Sequence, residues 1–318
     1  MTIDRKQGLG GSDVSSALGL DPRCTPYQLW RRKLGLDKEF EGNAATRRGN
    51  FLEASILRSY AAEIQPAQLI TGIEHVDEWR YAHLDARAVM PDGQCRVVEA
   101  KSVGKHALRE WGDPGSDEVP DRVLCQALWY SGMDAAQLVD IPVAIVPDDP
   151  DEVLGLTADE VMALSEFRIY RVVPVLELEV RLVAKARLFW ERHVMAKVPP
   201  PVTTPEDIKL RWPAHLPGKA RVATVEVEQL IAQHVALGKA VREGDAARER
   251  IKAQLMQFAE DCEFIVDTRR RPLLTLKSYP RKGYSVAEAL VRSVKATALG
   301  EALQITTETQ PILETPKP

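Results

Sequence analysis

The stretch His83-Leu84-Asp85-Ala86, running through Pro91-Asp92-Gly93 into Val97-Val98-Glu99-Ala100-Lys101, constrains the fold of this chain more than any other. Pro91 is preset for the first central position of a type I turn and Asp92 suits the second. Gly93 accepts the positive φ of a G1 bulge. A three-residue loop at 91–93 pairs Met90 with Gln94. Counting back along both strands then sets Asp85 opposite Glu99 and His83 opposite Lys101. Opposed strand residues have Cβ atoms roughly 4.5–5.5 Å apart, where like charges are destabilising. Strands otherwise rich in Val, Ala and Leu can carry that repulsion if a cation neutralises it, and a divalent metal on oxygen ligands is the simplest one. The alternative is a solvated pair screened by Lys101, which contributes little to the fold.

The remaining pattern alternates helices and strands. Ser12 or Asp13 is placed to cap a short helix through about Leu18, and Pro26 opens another through Lys33. Residues 44–64 carry Leu52, Ile56, Leu57, Tyr60, Ala61 and Ile64 at helical period, with Glu53 at the edge of that apolar stripe. Strands are expected at about 70–76, 79–90, 95–102, 137–146 and 167–173. Helices are expected at 120–130, with Gln126 beside the inward face, and at 177–197. Residues 147–160, rich in Asp and Pro, read as a surface insertion. This order predicts an α/β (α+β) core with a mixed central sheet flanked by helices. The first domain is expected over 1–198 and a Pro-rich linker over 199–223. An extension at 224–304 would follow, made of a charged helix (224–260), a hairpin (263–277) and a second helix (285–302). The last residues, 305–318, read as a frayed tail.

Several classes are excluded or disfavoured. In 318 residues, no run reaches the ~18–20 apolar residues of a membrane span, and no signal-peptide stretch opens the chain. Cys24, Cys95, Cys125 and Cys262 are scattered, which disfavours a zinc or iron–sulfur cluster and fits a reduced, cytoplasmic setting. The formal net charge of −4 does not advertise a nucleic-acid binder, yet an acidic centre ringed by local basic runs is compatible with one. Gly8-Leu9-Gly10-Gly11-Ser12 is not a dinucleotide fingerprint, and no Walker A, H-E-x-x-H or G-x-S-x-G pattern occurs. Trp129-Tyr130 and Phe189-Trp190 read as core aromatics, and His193 as a structural or surface residue.

Four features recur in one order: Gly10-Gly11-Ser12-Asp13, Gly49-x3-Glu53, Leu84-Asp85-Ala86 and Glu99-x-Lys101, with Gln126-Ala127-Leu128-Trp129-Tyr130 behind them. In this the chain resembles the YqaJ-type viral recombinases, the phage alkaline exonucleases similar to lambda exonuclease, within the PD-(D/E)xK nuclease superfamily. The resemblance is specific over about 5–200 and looser from 205 to 300. It implies a restriction-endonuclease-like core and a metal-dependent 5′→3′ exonuclease on linear duplex DNA. Such an enzyme leaves 3′ overhangs for a single-strand annealing protein during phage-type recombination in a bacterial host. It further implies that Asp85, Glu99, the carbonyl of Ala100 and Glu53 hold Mg²⁺, with Mn²⁺ as a substitute and two ions per site. Lys101 would orient or deprotonate the attacking water. Arg5 and Ser12 would hold the 5′-terminal phosphate, with Gln126 and His83 assigned beside them. Asp77 is a candidate extra acid. A ring-like homo-trimer around DNA is the implied assembly. A site-specific endonuclease on the same fold and a non-catalytic DNA-binding module are the competing readings.

Overall fold

The computed structural model describes residues 5–37, 42–147 and 155–276; the helix expected at 285–302 and the tail at 305–318 lie outside them. The chain divides after Arg211 into two units.

The first unit is organised by one seven-stranded mixed sheet. At one side of it β2 (Gln68–Asp77) and β3 (Arg80–Val89) form a long antiparallel pair, and β1 (Leu9–Gly10) lies parallel to the start of β3. β3 then turns through residues 91–93 into β4 (Cys95–Val98). The turn is the expected one. Gly93 has φ +86°, its N–H donates to the Met90 carbonyl at 2.9 Å, and Met90 N–H donates to the Gln94 carbonyl at 2.8 Å. The ladder runs from Val89↔Cys95 to Ala86↔Val98, so Asp85 and Glu99 are the next residues in register.

The single strand expected at 95–102 is instead split. β4 pairs with β3 on one side and, in parallel, with β6 (Leu138–Val146) on the other. β5 (Lys101–Gly104) keeps only the β6 partner, with Lys101 beside Val143. His83 therefore stands across from Glu74 on β2, and the expected His83–Lys101 opposition is not formed. The cause is the side chain of Asp85. Its Oδ2 accepts the Ala100 N–H at 2.8 Å, in place of a backbone partner on β3, while Glu99 N–H donates to the Asp140 carbonyl at 3.0 Å. The sheet forks at Glu99-Ala100. β7 (Glu166–Val172) closes the far side antiparallel to β6.

Helices cover the sheet. α1 (Gly11–Ala17) is not capped by Ser12 or Asp13 at its first position. Its N-cap is Gly10, whose N–H donates to Asp13 Oδ2 at 3.0 Å from the third helical position. Gly10 and Gly11 are required by close approach, since a Cβ at either would run into the ring of Tyr81 or Tyr130. α2 (Pro26–Lys33) begins at a Thr25 capping box, and α3 (Ala44–Ile64) packs Leu52, Ile56, Leu57 and Tyr60 inward. α4 (Asp121–Asp134) runs past the expected end at 130, with Trp129 and Tyr130 buried as core.

At the end of the stretch read as an insertion, α5 (Ala158–Leu164) begins, a helix whose buried Val161 joins Leu52 and Ile56. α6 (Leu176–Phe189) continues as a π-helical turn through Met195. Nor is 199–223 simply a linker: α7 (Pro205–Arg211) belongs to the first unit. Its fully buried Asp207 accepts the Thr25 hydroxyl at 2.8 Å and the Thr203 N–H at 3.1 Å. The second unit contains α8 (Val225–Ala259), followed by the hairpin of β8 (Phe264–Val266) and β9 (Pro272–Thr275).

Candidate active site

The fork brings the acidic centre together. Glu99 sits where β4 and β5 part, and its side chain is 5% exposed. Oε1 accepts from Lys101 Nζ at 2.5 Å and from Gln126 Nε2 at 2.7 Å, whereas the buried Oε2 has no protein partner. A buried carboxylate oxygen without a donor costs on the order of 1–3 kcal/mol, so the fold carries a local penalty at this atom. Gln126, on α4, also accepts from Lys101 at 3.0 Å and donates to the Tyr130 hydroxyl at 3.1 Å. Its amide is thus spent on orienting Glu99 and Lys101.

Electrostatics follow from burial. The Glu99 carboxyl is pushed up to about 8, first by burial and then by neighbouring Asp85, against the pull of Lys101. Asp85 is raised by burial, partly offset by Lys101 and the Ala100 N–H. Glu53, half-buried on α3, is raised by burial and by Asp85, and lowered by His83 and Lys101. Lys101 is held above its usual value: the Glu99 and Asp85 charges together outweigh the larger single effect of burial, so it stays cationic.

Glu53, Asp85, Glu99 and Lys101 thus share one electrostatic neighbourhood. They do not form a closed cage, since among the described residues no three His, Cys, Asp or Glu side chains stand in metal-ligand proximity. The donor set nevertheless suits a hard cation: Asp85 and Glu99 supply oxygens, and the orphaned Glu99 Oε2 lacks a positive partner. Ala100 enters through its N–H, which Asp85 accepts.

The other expected residues are dispersed. Ser12 borders a cleft of about 300 Å³ that also takes in Lys101, Gln126 and three arginines, Arg23, Arg48 and Arg122. Arg5 is exposed and is not part of that lining; its carbonyl accepts from Lys33 Nζ at 2.6 Å. His83 is exposed, and its nearness lowers the Glu53 and Asp85 carboxyls. Asp77 lies exposed at the end of β2, in an ion pair with Arg80 at 3.5 Å, away from the acidic centre. The three cleft arginines carried no individual signal in the sequence, because each reads as an ordinary surface residue; only α3, α4 and the loop after α1 bring them together. Arg48 is tied to Ser102, next to Lys101, through the hydroxyl and carbonyl at 3.3 Å each, and Arg122 pairs with Glu110 at 2.7 Å.

Residues 3–133 match the YqaJ-like viral recombinase domain. The chain is 30% identical over 137 residues to the uncharacterized protein YqaJ of Bacillus subtilis (strain 168), a match covering 41% of this chain and 40% of that relative. Among solved structures it is similar to an alkaline exonuclease from Laribacter hongkongensis, with a TM-score of 0.42, 18% identity and coverage of 65% of this chain and 94% of that one. It is also similar to a phage related exonuclease from Haemophilus somnus 129PT, with a TM-score of 0.43, 13% identity and coverage of 60% and 96%. No helix among the described residues is long and apolar enough to cross a membrane.

Proposed function

From the premise that this chain carries a YqaJ-like viral recombinase domain, we propose that it is a metal-dependent deoxyribonuclease that digests linear duplex DNA from its 5′ ends. The 3′ single strands left behind would serve a strand-annealing partner. The observation that carries the reading is Glu99: a buried acid with one unpartnered oxygen, in register with Asp85 and bonded to Lys101. A binding module has no use for buried acids that repel phosphate.

Asp85, Glu99 and the Ala100 carbonyl, with Glu53 at the margin, would hold magnesium or manganese, which lowers the pKa of bound water and neutralises charge at the phosphate. Lys101 borders the cleft as a cation and directs its ammonium protons toward the attacking water or a phosphate oxygen. Gln126 fixes both Lys101 and Glu99, so the pair enters the reaction already oriented. Arg23, Arg48 and Arg122 give the cleft the positive charge that a DNA backbone needs. Ser12, at the cleft, and Arg5 are assigned to the terminal phosphate, with His83 beside Glu53. A ring of three copies is the assembly that would keep the enzyme on its strand.

The test uses end-labelled linear duplex and closed circular duplex, each with Mg²⁺ or with EDTA. Mononucleotides should be released from 5′-phosphorylated linear ends with Mg²⁺ alone, while circles stay closed. Nicked circles would replace this reading with an endonuclease, and inert retention of DNA would leave only a binding protein.

Linkage supplies a second expectation. A carboxyl raised to about 8 keeps its proton in the metal-free fold after the unfolded chain has released it at its ordinary value. Stability conferred by that proton is complete below about pH 4.5 and is lost as pH rises through about 8. A cation competes with the same proton. The gain in Tm from Mg²⁺ or Mn²⁺ over EDTA should therefore be small near pH 6 and larger near pH 9. An equal gain at both pH values would separate Glu99 from metal binding.

A further inference from the structure

The second unit carries an interaction surface that the nuclease reading does not use. α8 spans 35 residues, about 52 Å at 1.5 Å per residue. Along it Val227, His234, Val241, Arg248 and Leu255 repeat every seven residues. Leu230, Leu237, Gly244, Ile251 and Phe258 repeat three residues later in each heptad. These are the a and d positions of a coiled coil over five heptads; the first and last are apolar at both positions and the middle three at one each. All ten positions are exposed, and the seven apolar ones range from 39% at Leu255 to 77% at Phe258. The ion pair Lys239–Glu243 lies on the opposite face, which also carries the buried Ala232. A seam this long left in water is a surface awaiting a helix.

We propose that α8 pairs antiparallel with α8 of a second copy of this chain. The seam is self-complementary in that direction. Reversing one helix about its midpoint sets Val227 against Phe258, Leu230 against Leu255, His234 against Ile251, Leu237 against Arg248 and Val241 against Gly244. Each polar side chain then meets an aliphatic one along which its own carbon stem can lie, and the void at Gly244 receives Val241. The parallel register is worse in every irregular layer. It stacks Arg248 on Arg248 and His234 on His234, and it leaves Gly244 facing Gly244 across a cavity. Charge and volume both select the antiparallel pair.

Two measurements on the full chain test this. In sedimentation equilibrium Leu230→Glu should halve the assembly mass, whatever assembly the first unit forms, and weaken association at least ~100-fold. For cross-linking, the exposed Cys95 and Cys262 are first replaced by serine. Leu230→Cys combined with Leu255→Cys should then give a disulfide-linked dimer under mild oxidation, and Leu230→Cys alone should not. Cross-linking by the single variant would establish the parallel register and overturn the proposal. A mass unchanged by Leu230→Glu would overturn it too, whether residues 277–318 or a different protein cover the seam.

Discussion

Glu99→Gln is expected to lower the rate of DNA cleavage by at least ~10³-fold while leaving the metal-free protein no less stable than before. The two halves of that result share one cause. Glu99 is buried, sits in register with Asp85, and has an oxygen that no protein group satisfies. The metal-free fold therefore bears the cost of a buried ionisable group that must keep its proton, which an amide removes, while the carbonyl oxygen of glutamine still accepts from Lys101. What the amide cannot do is present a second anionic oxygen to a cation. Steady-state cleavage and thermal melts in EDTA check the two halves together. Cleavage retained in Glu99→Gln would remove this residue from the chemistry. A large drop in Tm would mean that it serves the fold instead.

Asp140→Ala should give the largest loss of stability. Asp140 is fully buried on β6 and is the hub of three elements: it accepts from the Tyr60 hydroxyl at 2.8 Å, from Arg96 at 3.1 Å and from Arg171 at 2.9 Å. Arg171 has a half-exposed side chain and can turn to water, but Arg96 and Tyr60 cannot follow it. Removing one partner of a buried charged network costs ~3–5 kcal/mol, which for a unit of this size corresponds to a fall in Tm on the order of 10 °C. Asp140→Asn keeps the size and part of the hydrogen bonding and should fall between. Thermal denaturation of the two variants side by side decides this. Equal, small losses from both would show that the hub is dispensable.

The local chemistry of the sequence made the acidic ribbon legible, and non-local pairing hid the rest. Pro91, Asp92 and Gly93 each favour one turn position for an identifiable reason, so the register that aligns Asp85 with Glu99 follows from them alone. The same counting failed two residues later. Whether β5 stays on β3 or follows β6 depends on a strand some forty residues away, and on Asp85 taking the Ala100 N–H. Helices α5 and α7 escaped for a similar reason. Each is seven residues long with little apolar periodicity, and each is held by distant partners, Val161 by Leu52 and Ile56, Asp207 by Thr25. Gln126 was placed correctly beside the core face of its helix. Its bonds to Glu99 and Lys101 appear only when α4 is laid on the fork.

The contact between Thr25 and Asp207 spans 182 positions of the chain, and it sets an order on vectorial synthesis. Every strand of the first unit has been translated by Val172, yet the hydroxyl at the head of α2 waits for a carboxylate that emerges from the ribosome much later. A nascent chain could assemble its sheet early and still leave α2 loosely seated until that late clasp arrives.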